Sequence, residues 1–359
     1  MLAKILHGVV LVLAAACLWA PLPSGAVERW YSLTLYPAIQ HIVTPLTNLM
    51  PFAMLDVLLV VTLFLVVWGA IRMIRSARRK RSVRPVLTFA WRLLVTASVL
   101  YLAFLVLWGF NYRRIRMSQR LDIAHAAPDR EAVITLAREA IERMNALHGQ
   151  AHGQGWPREE WRDNELRVAF ARTQRLLSDA RAAEPGRVKP TLLGLYFRWS
   201  SVDGMVNPFG LEVLANPDLM PWERPFVAAH EWSHLAGYAD ESEANFVGWL
   251  TCIRGNPPAQ YSGWLFLYWQ LIGELRAADR TELLSLVAEG PRHDLEAIAD
   301  RLRRGQFPLL RDVSWRVYDK YLKANRVEEG VRSYSEVVTL ILRVRFDDNW
   351  VPVRRQPRP

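Results

Sequence analysis

Cysteine is scarce in this sequence: Cys17 and Cys252 are the only two among 359 residues. Cys17 lies in an apolar run near the start and Cys252 in the distal half, so the two are poorly placed to form a disulfide bond. A domain held by disulfides is therefore excluded, and the long distal segment must be stabilised by a buried core. Internal repeats are also missing, as are low-complexity tracts apart from one basic stretch.

Long apolar runs are confined to the first 110 residues, and the rest of the chain has none that match them. A helix that crosses a bilayer needs about 20 apolar residues, with a lower limit near 17. We predict three transmembrane helices at about 5–22, 55–74 and 91–110, so that residues 1–110 form a membrane region. The first run also resembles a cleaved signal peptide, because Lys4 precedes it and small residues follow it. A retained helix is the preferred interpretation.

The loop of residues 72–85 carries seven cations and no acid. Loops of this kind stay in the cytoplasm, which predicts a multi-pass protein of a bacterial inner membrane whose distal domain is extracytoplasmic. Because the loop supplies seven of the ten formal net positive charges, the basic composition reflects topology in a lipid bilayer. No nucleic-acid partner is expected. The interiors of the three apolar runs carry no charged residue, which disfavours a channel or transporter.

The distal segment mixes helical periodicity with short extended stretches. We predict an α+β, mostly helical domain over residues 111–350, followed by a basic tail at 351–359. The predicted local elements are a helix over 129–147 capped by Asp129, a helix over 161–180, short strands and turns over 192–216, and a buried core helix over 261–275 rather than a fourth span.

The motif that carries chemistry is HEWSH, from His230 to His234. On a helix these two imidazoles lie one turn apart on the same face, the arrangement by which two histidines bind one zinc ion. Glu231 follows the first histidine, where it can reach a water molecule on the metal and serve as general base. Pro225 and Gly237 are typical of a helix start and of the residue after a helix end. The alternative interpretation is an amphipathic helix with two surface histidines.

A catalytic zinc site needs a third protein ligand and one open position, and three acids follow the motif. Asp240 and Glu243 also form a capping box at the start of a second helix, which engages the Asp240 carboxylate. On that helix Glu241 and Asn245 share a face with small residues that permit close approach to the first helix. Glu241 is therefore the preferred third ligand, Glu243 and Asp240 are the alternatives, and Asn245 is predicted to hydrogen-bond a ligand imidazole.

The pairing of HExxH with ExxAN resembles the gluzincin peptidases, in which a glutamate on a second helix completes the zinc site. The segment HEWSHLAGYADESEANF resembles more closely a family of uncharacterised bacterial membrane proteins, and this similarity continues in pieces through 189–216 and 321–338. The resemblance implies a zincin-like fold, Zn²⁺ as the cofactor and a substrate-binding strand at 211–216. It also suggests Tyr334 and Arg332 as oxyanion stabilisers, the alternative being ordinary helix or turn residues.

The sequence thus predicts a membrane-anchored zinc-dependent hydrolase, a metallopeptidase that acts on peptide or protein substrates at the outer face of the membrane. Two alternatives stay open. One is a zinc amidase that acts on cell-wall material, and the other is a catalytically silent binding or regulatory module that keeps the zincin fold. Glu231 favours catalysis, because a silent module has no need of a general base.

Overall fold

Helices dominate the computed structural model, which describes residues 2–157, 159, 162–327 and 336–355. The helices are α1 (Leu2–Trp19), α2 (Ser24–Ala26), α3 (Tyr36–Asn48), α4 (Met54–Lys80), α5 (Arg84–Leu107), α6 (Met117–Arg120), α7 (Arg130–Gln154), α8 (Asn164–Leu177), α9 (Gly194–Ser200), α10 (Arg224–Leu235), α11 (Glu241–Cys252), α12 (Pro257–Glu274), α13 (Ala277–Leu286), α14 (Glu289–Gly305), α15 (Pro308–Ala324) and α16 (Glu336–Arg343). A π-helix covers Val27–Leu35 and a 3-10 helix covers Gly109–Arg113; the strands are β1 (Val188–Lys189), β2 (Gly204–Asn207) and β3 (Glu212–Ala215). The mostly helical α+β architecture is as predicted.

The three strands form one sheet in the order β1-β3-β2. β3 pairs in parallel with β1 and antiparallel with β2, with Met205 opposite Leu214. The sheet holds a fully buried ion pair, in which Lys189 Nζ lies 2.7 Å from Glu212 Oε2. Burial alone would raise the pKa of Glu212, but hydrogen bonds from Lys189 and from neighbouring amides outweigh it and lower the pKa.

The segment predicted as short strands and turns over 192–216 is only partly extended. β2 and β3 confirm the prediction, but the apolar stretch that precedes them forms a helix, α9, and not a strand. Leu193 and Phe197 lie four residues apart in that stretch, and both pack against the cluster that contains Leu55 of α4. Apolar residues at this spacing bury one face of a helix, which explains why the stretch is not a strand.

Two helices, α4 and α5, are long and apolar enough to cross a membrane, and 6% of each apolar window is buried within the chain. They correspond to the second and third apolar runs, although their ends differ from the predicted 55–74 and 91–110. The first predicted span corresponds to α1, which packs along α5. Together with residues 24–48, α1 forms a pair bent by 113°, which raises the number of candidate spans in the described chain to three if the pair counts as one.

Most of the predicted basic loop is helical. Residues 72–80 continue α4, and three residues separate its end from the start of α5. Long cationic side chains let a helix extend beyond its apolar stretch, because their aliphatic stems cover apolar surface while the charges reach water. Arg72 illustrates this, with its guanidinium 4.7 Å from the centre of the Trp68 ring. Arg81 then ends the helix in the left-handed conformation, at φ 45°.

Residues 81–83, between α4 and α5, are called the basic turn below. The distal domain is attached to the opposite ends of these two helices. The buried Glu212 carboxylate accepts the backbone N–H of Met54 at 3.1 Å, at the start of α4. Trp108, directly after α5, donates its indole N–H to the His234 carbonyl at 3.0 Å. The basic turn and the HExxH helix therefore lie at opposite ends of the apolar helices, which is the geometry that the predicted topology requires.

Residues 27–48 pack against the distal domain, although the sequence assigned them to the membrane region. Tyr36 donates its hydroxyl to the Leu235 carbonyl at 2.8 Å, and Thr44 donates to the Leu211 carbonyl at the same distance. Glu28 forms a buried ion pair with an arginine that follows α5. A division of the chain at residue 110 therefore separates this segment from the domain that it contacts.

The core lies where α7, α10, α11 and α12 pack together. Helix α12 contains Trp264, Leu267 and Leu271, all buried, which confirms the prediction of a core helix there. Asp129 caps α7, as predicted, by accepting the N–H of Ala132 at 2.8 Å. The helix continues to Gln154, beyond the predicted end, and its last turns contact α12 through the rings of His148 and His152, which lie against that of Tyr261.

The C-terminal strip predicted as a basic tail is partly held to the domain. Residues 351–355 are described, and within them Pro352 forms a β-bridge with Phe346 and Arg354 forms one with Leu121. Arg354 also binds the two carboxylate oxygens of Asp179 through Nη1 and Nη2 of its guanidinium group, at 2.8 and 2.9 Å. The last four residues lie outside the described part of the chain.

Candidate metal centre

Helix α10 is buried from Pro225 to Leu235. Pro225 lies in its first turn, where a missing N–H costs nothing, and the helix gives way to Gly237 at φ +84°. A side chain on Gly237 would also collide with Asn111, whose Oδ1 would lie 2.9 Å from the added Cβ. Both predicted helix-end signals are therefore confirmed, and they fix the length of the helix that carries the two histidines.

Helix α11 starts directly after this turn. The Asp240 carboxylate accepts the N–H groups of Ser242 at 2.9 Å and of Glu243 at 3.4 Å, so the predicted cap is present and Asp240 is engaged in it. Gly248 lies against α10, where an added Cβ would be 3.0 Å from the backbone nitrogen of His230. The small residue lets the two helix backbones approach closely, as the sequence predicts.

The side chains of His230, His234 and Glu241 converge. Each histidine Nε2 lies 3.4 Å from Glu241 Oε2, and the three groups form one of the clusters that could hold a metal ion. A tetrahedral zinc ion about 2.1 Å from each ligand places neighbouring ligand atoms about 3.4 Å apart. The spacing of the donor atoms therefore fits the ion that the motif predicts.

Glu243, the alternative third ligand, points elsewhere. Its carboxylate accepts the backbone N–H of Met117, and it lies outside the cluster formed by the two histidines and Glu241. Burial raises the pKa of Glu243, and the positive charge of Arg120 offsets this only in part. Of the three acids that follow the motif, Glu241 is the one that the structure brings to the histidines.

The hydrogen bonds around the ligands hold them in position. His234 Nδ1 lies 2.7 Å from the Tyr238 carbonyl, which can accept its proton and so turns Nε2 towards Glu241. Tyr318 of α15 donates its hydroxyl to Glu241 Oε1. Glu241 Oε2 is buried and has no hydrogen-bond partner among the described residues, as expected of an oxygen that accepts a cation.

Asn245 does not fill its predicted role. Its side-chain nitrogen is buried without a hydrogen-bond partner in the described chain, and the imidazole of His234 is oriented by the Tyr238 carbonyl instead. Nδ1 of His230 is likewise buried without a hydrogen-bond partner among the described residues, so Asn245 is bonded to neither imidazole. Arg332 and Tyr334, the predicted oxyanion stabilisers, lie outside the described residues.

The charges of the three candidate ligands stabilise one another. Burial lowers the pKa of His234, but the Glu241 carboxylate outweighs this and raises it to about 9. The two imidazoles in turn hold the pKa of Glu241 far below its ordinary value, against the effect of burial. A divalent cation would displace the proton from His234 and take its place beside the ionised carboxylate.

Glu231 lies in the same buried region without joining the cluster. Burial raises its pKa to about 7; His230 and His234 pull the pKa down, and Glu241 adds to the rise. One of its carboxylate oxygens, Oε2, has no hydrogen-bond partner within the described chain. A carboxylate with a free oxygen next to the three ligands is placed as a general base requires.

Strand β2 lies directly against Glu231. A Cβ on Gly204 would be 2.6 Å from Glu231 Oε1, so only glycine permits this approach. The resemblance to zincins pointed to residues 211–216 as the substrate-binding strand, but that expectation is wrong for β3. Both edges of β3 are occupied, one by β1 and the other by β2, whereas β2 pairs with β3 alone among the described strands.

Three contacts of the site were not predicted: the Tyr318 hydroxyl, the Tyr238 carbonyl and the close approach of Gly204. Tyr318 lies 77 residues from its partner, and no local pattern marks it. Gly204 had a weak signal, since an isolated glycine in an extended stretch often marks a close approach to a neighbouring group.

Comparison with known proteins places the chain in a family. No curated protein and no solved structure matches it. The model of the family described as "Protein of unknown function (DUF3810)" matches residues 31–342, which include α4, α5 and the candidate metal centre. The predicted resemblance to an uncharacterised family is confirmed, over a longer stretch than the two pieces around the motif. The chain therefore belongs to this family of proteins of unknown function.

Proposed function

We propose that this protein is a membrane-anchored zinc-dependent hydrolase that acts as a metallopeptidase. The convergence of His230 Nε2 and His234 Nε2 on Glu241 Oε2, at 3.4 Å each, carries the proposal. Two imidazoles and one carboxylate leave the fourth position of a tetrahedral zinc ion open. The burial of Glu241 Oε2 agrees with this, because within the described chain it has no hydrogen-bond partner and only the two imidazoles near it, and a cation between the three groups would bind it directly.

The residues around the ligands supply the groups that peptide hydrolysis needs. A zinc ion bound here would activate a water molecule and polarise the carbonyl of a substrate. Glu231 would accept a proton from the attacking water and return it to the nitrogen that leaves when the C–N bond breaks. Tyr318 holds the Glu241 carboxylate, and the Tyr238 carbonyl holds the His234 ring, so both ligands keep their orientation while the proton moves.

The edge of β2 that does not face β3 is the proposed place for the substrate backbone. An extended peptide can pair with an unpaired strand edge through main-chain hydrogen bonds, and Gly204 brings one face of β2 against the Glu231 carboxylate. A motif helix beside a sheet edge, with a second helix that contributes a glutamate, is the arrangement expected of a zincin-like fold. We include that fold in the proposal.

The substrate is proposed to be a peptide or protein at the outer membrane face. Trp108 follows the last residue of α5 and hydrogen-bonds the His234 carbonyl, and its ring centre lies 6.2 Å from that of His234. The candidate metal centre is therefore within one side chain of the end of an apolar helix. With the basic turn in the cytoplasm, this end faces the outside of a bacterial inner membrane.

The enzymatic proposal is tested by zinc content and peptide hydrolysis of the purified full-length protein in detergent. Glu231→Gln should keep its zinc and lose hydrolysis of a fluorogenic peptide library, because the amide cannot accept the proton. Glu142→Gln is the matched control, since Glu142 is exposed on α7, and it should keep both properties. A Glu231→Gln variant as active as the wild type would exclude the mechanism.

Two further outcomes would replace the proposal. Zinc with no peptide hydrolysis, but with cleavage of purified cell-wall fragments, would make the protein an amidase. Zinc with no turnover of either substrate would make it a binding or regulatory module. A carefully isolated protein without zinc would remove the basis of all three.

The orientation is tested by alkaline phosphatase fusions, because this reporter is active only outside the cytoplasm. A fusion after Arg120 should be active, and a fusion after Ser82, in the basic turn, should be inactive. The reverse pattern would place the candidate metal centre in the cytoplasm.

A further inference from the structure

A second histidine pair lies on α7. His148 and His152 are one turn apart, and the Nε2 atoms of both approach Asp294 Oδ2 of α14, at 3.5 and 2.9 Å. The Tyr261 hydroxyl donates to the same oxygen at 2.6 Å. These residues form the other cluster of the described chain that could hold a metal ion.

The surroundings of this cluster suit a cation site that is open on one side. The Asp294 side chain is 7% exposed, whereas those of His148 and His152 are 26% and 34% exposed. The rings of Trp156 and Trp222 lie 5.4 and 5.7 Å from that of His152 and form an apolar wall. A buried carboxylate with two imidazoles on its open side can bind an ion whose remaining positions are taken by solvent.

We propose that His148, His152 and Asp294 form an accessory site for a divalent transition metal of the zinc type, separate from the HExxH centre. The residues between the two histidines are Gly149, Gln150 and Ala151, so the motif contains no general base. The accessory site is therefore structural rather than hydrolytic.

Helix α14 connects the accessory site to the edge of the candidate catalytic site. Arg301 lies seven residues after Asp294, on the same face of the helix. Its guanidinium binds Asp203 at 3.1 Å, just before β2, and Glu223 at 2.6 Å, just before α10. An ion on Asp294 would fix the helix that holds the start of both elements. This effect on catalysis rests on the proposed function, whereas the metal site itself does not.

The test is a count of bound ions, made by equilibrium dialysis of the metal-stripped full-length protein against Zn²⁺. The wild type should bind two ions. The double variant His148→Ala/His152→Ala should bind one, as should His230→Ala/His234→Ala. His293→Ala, which removes an exposed histidine of α14, is the control and should still bind two.

The outcomes separate the two proposals. Asp294→Asn should also bind one ion, and it keeps an acceptor for the Tyr261 hydroxyl, so the result does not depend on the alanine variants alone. Two ions in both the Asp294→Asn and the double-alanine variants would overturn the accessory site, as would a single ion in the wild type that is lost in His230→Ala/His234→Ala and kept in His148→Ala/His152→Ala. An active Glu231→Gln variant would contradict the proposed mechanism without changing these counts.

A different observation concerns the outer surface of α9 and α15. The two helices pack together, and both expose apolar side chains: Leu195 50%, Trp199 41%, Leu309 67%, Val313 40% and Val317 62%. On α15 the three apolar residues recur every four positions, which makes one stripe. Apolar residues exposed in this way usually mark a contact with a partner or a membrane.

Both ends of this surface are fixed to the outer ends of the apolar helices. At one end, the Leu192 N–H donates to Asp56, in the first turn of α4, at 2.9 Å. At the other, the Tyr321 ring lies 6.4 Å from that of Phe104, near the end of α5. We infer that the stripe of α15, together with α9, rests in the outer leaflet of the bilayer and so holds the metal centre at the lipid surface.

This inference is tested by depth-dependent quenching in vesicles of phosphatidylethanolamine and phosphatidylglycerol. A fluorophore on Val317→Cys, in a full-length protein with Cys17→Ala, should be quenched severalfold more by lipids spin-labelled near the headgroup than the same fluorophore on Glu142→Cys. Equal quenching at the two positions would overturn the lipid contact. Ion counts and hydrolysis rates do not enter this test.

Discussion

The two histidine clusters share a ligand spacing and differ in their surroundings. Each places a pair of imidazoles one turn apart on a helix, facing an acid on a second helix. Helix α10 is buried along its length, and Oε2 of Glu241 on α11 lacks a hydrogen-bond donor among the described residues, whereas Oδ2 of Asp294 accepts the Tyr261 hydroxyl. We propose that the same spacing serves two purposes, because among the described residues only the buried cluster has a glutamate, Glu231, directly after its first histidine.

The sharpest test of this difference is removal of the acid from each cluster. Glu241→Gln should abolish zinc binding at the HExxH centre and lower kcat/KM by about 10³-fold or more, since several kcal/mol of transition-state stabilisation depend on the ion. Asp294→Asn should leave hydrolysis measurable. The test measures the rate of peptide hydrolysis and the number of bound zinc ions per protein in both variants. Similar losses in the two would show that the clusters do not differ in function.

The second test concerns the approach of β2 to the general base. Gly204→Ala should lower kcat/KM by about 10²-fold without loss of zinc, because the added Cβ displaces the Glu231 carboxylate. Gly273→Ala is the control, since its added Cβ meets nothing within 4 Å. The zinc content and the steady-state kcat/KM of both variants are measured to test whether Glu231 needs this position. Unchanged activity in the Gly204→Ala variant would mean that Glu231 does not need its observed position.

A smaller effect is expected from the tyrosine that holds each acid. Tyr318→Phe should weaken zinc binding at the HExxH centre by about 10- to 100-fold, as loss of a hydrogen bond to a ligand commonly does. Tyr261→Phe should weaken the accessory ion and leave the HExxH centre unchanged. Competition with a calibrated chelator measures both affinities. Equal weakening at the HExxH centre in the two variants would indicate a general loss of structure.

The sequence predicted the parts of the site that depend on local geometry. His230, His234 and Glu241 could be identified because helix periodicity and two helix ends decide which side chains share a face. The cap at Asp240 was predicted for the same reason. The predicted hydrogen bond from Asn245 to a ligand imidazole is absent from the structure; the group that contacts His234 Nδ1 is a backbone carbonyl, and main-chain atoms carry no signature in a sequence.

What the sequence could not supply depends on tertiary packing. The order of the three strands decides which edge is open, and it follows from pairing between distant segments rather than from the strands themselves. Residues 27–48 lie between two apolar runs and carry no motif, yet Tyr36 and Thr44 hydrogen-bond the domain. Tyr318 reaches Glu241 from a helix that the motif does not include.

The smallest predicted effect links the two clusters through α14. His152→Ala should lower kcat/KM roughly two- to fivefold, which corresponds to a rise of about 0.5–1 kcal/mol in the activation free energy. An effect of this size is typical of a residue that acts through a packed element. The loss should disappear in an Arg301→Lys background, because lysine cannot form the two-carboxylate contact through which α14 holds Asp203 and Glu223.

A double-mutant cycle with kcat/KM as the readout measures this coupling, and His293→Ala supplies the control in both backgrounds. The cycle separates a mechanical link from a merely destabilised domain, since general destabilisation would add to the effect of Arg301→Lys instead of vanishing in it. An undiminished effect of His152→Ala in the Arg301→Lys background would leave the accessory cluster without influence on the HExxH centre. The two clusters would then be independent despite the helix between them.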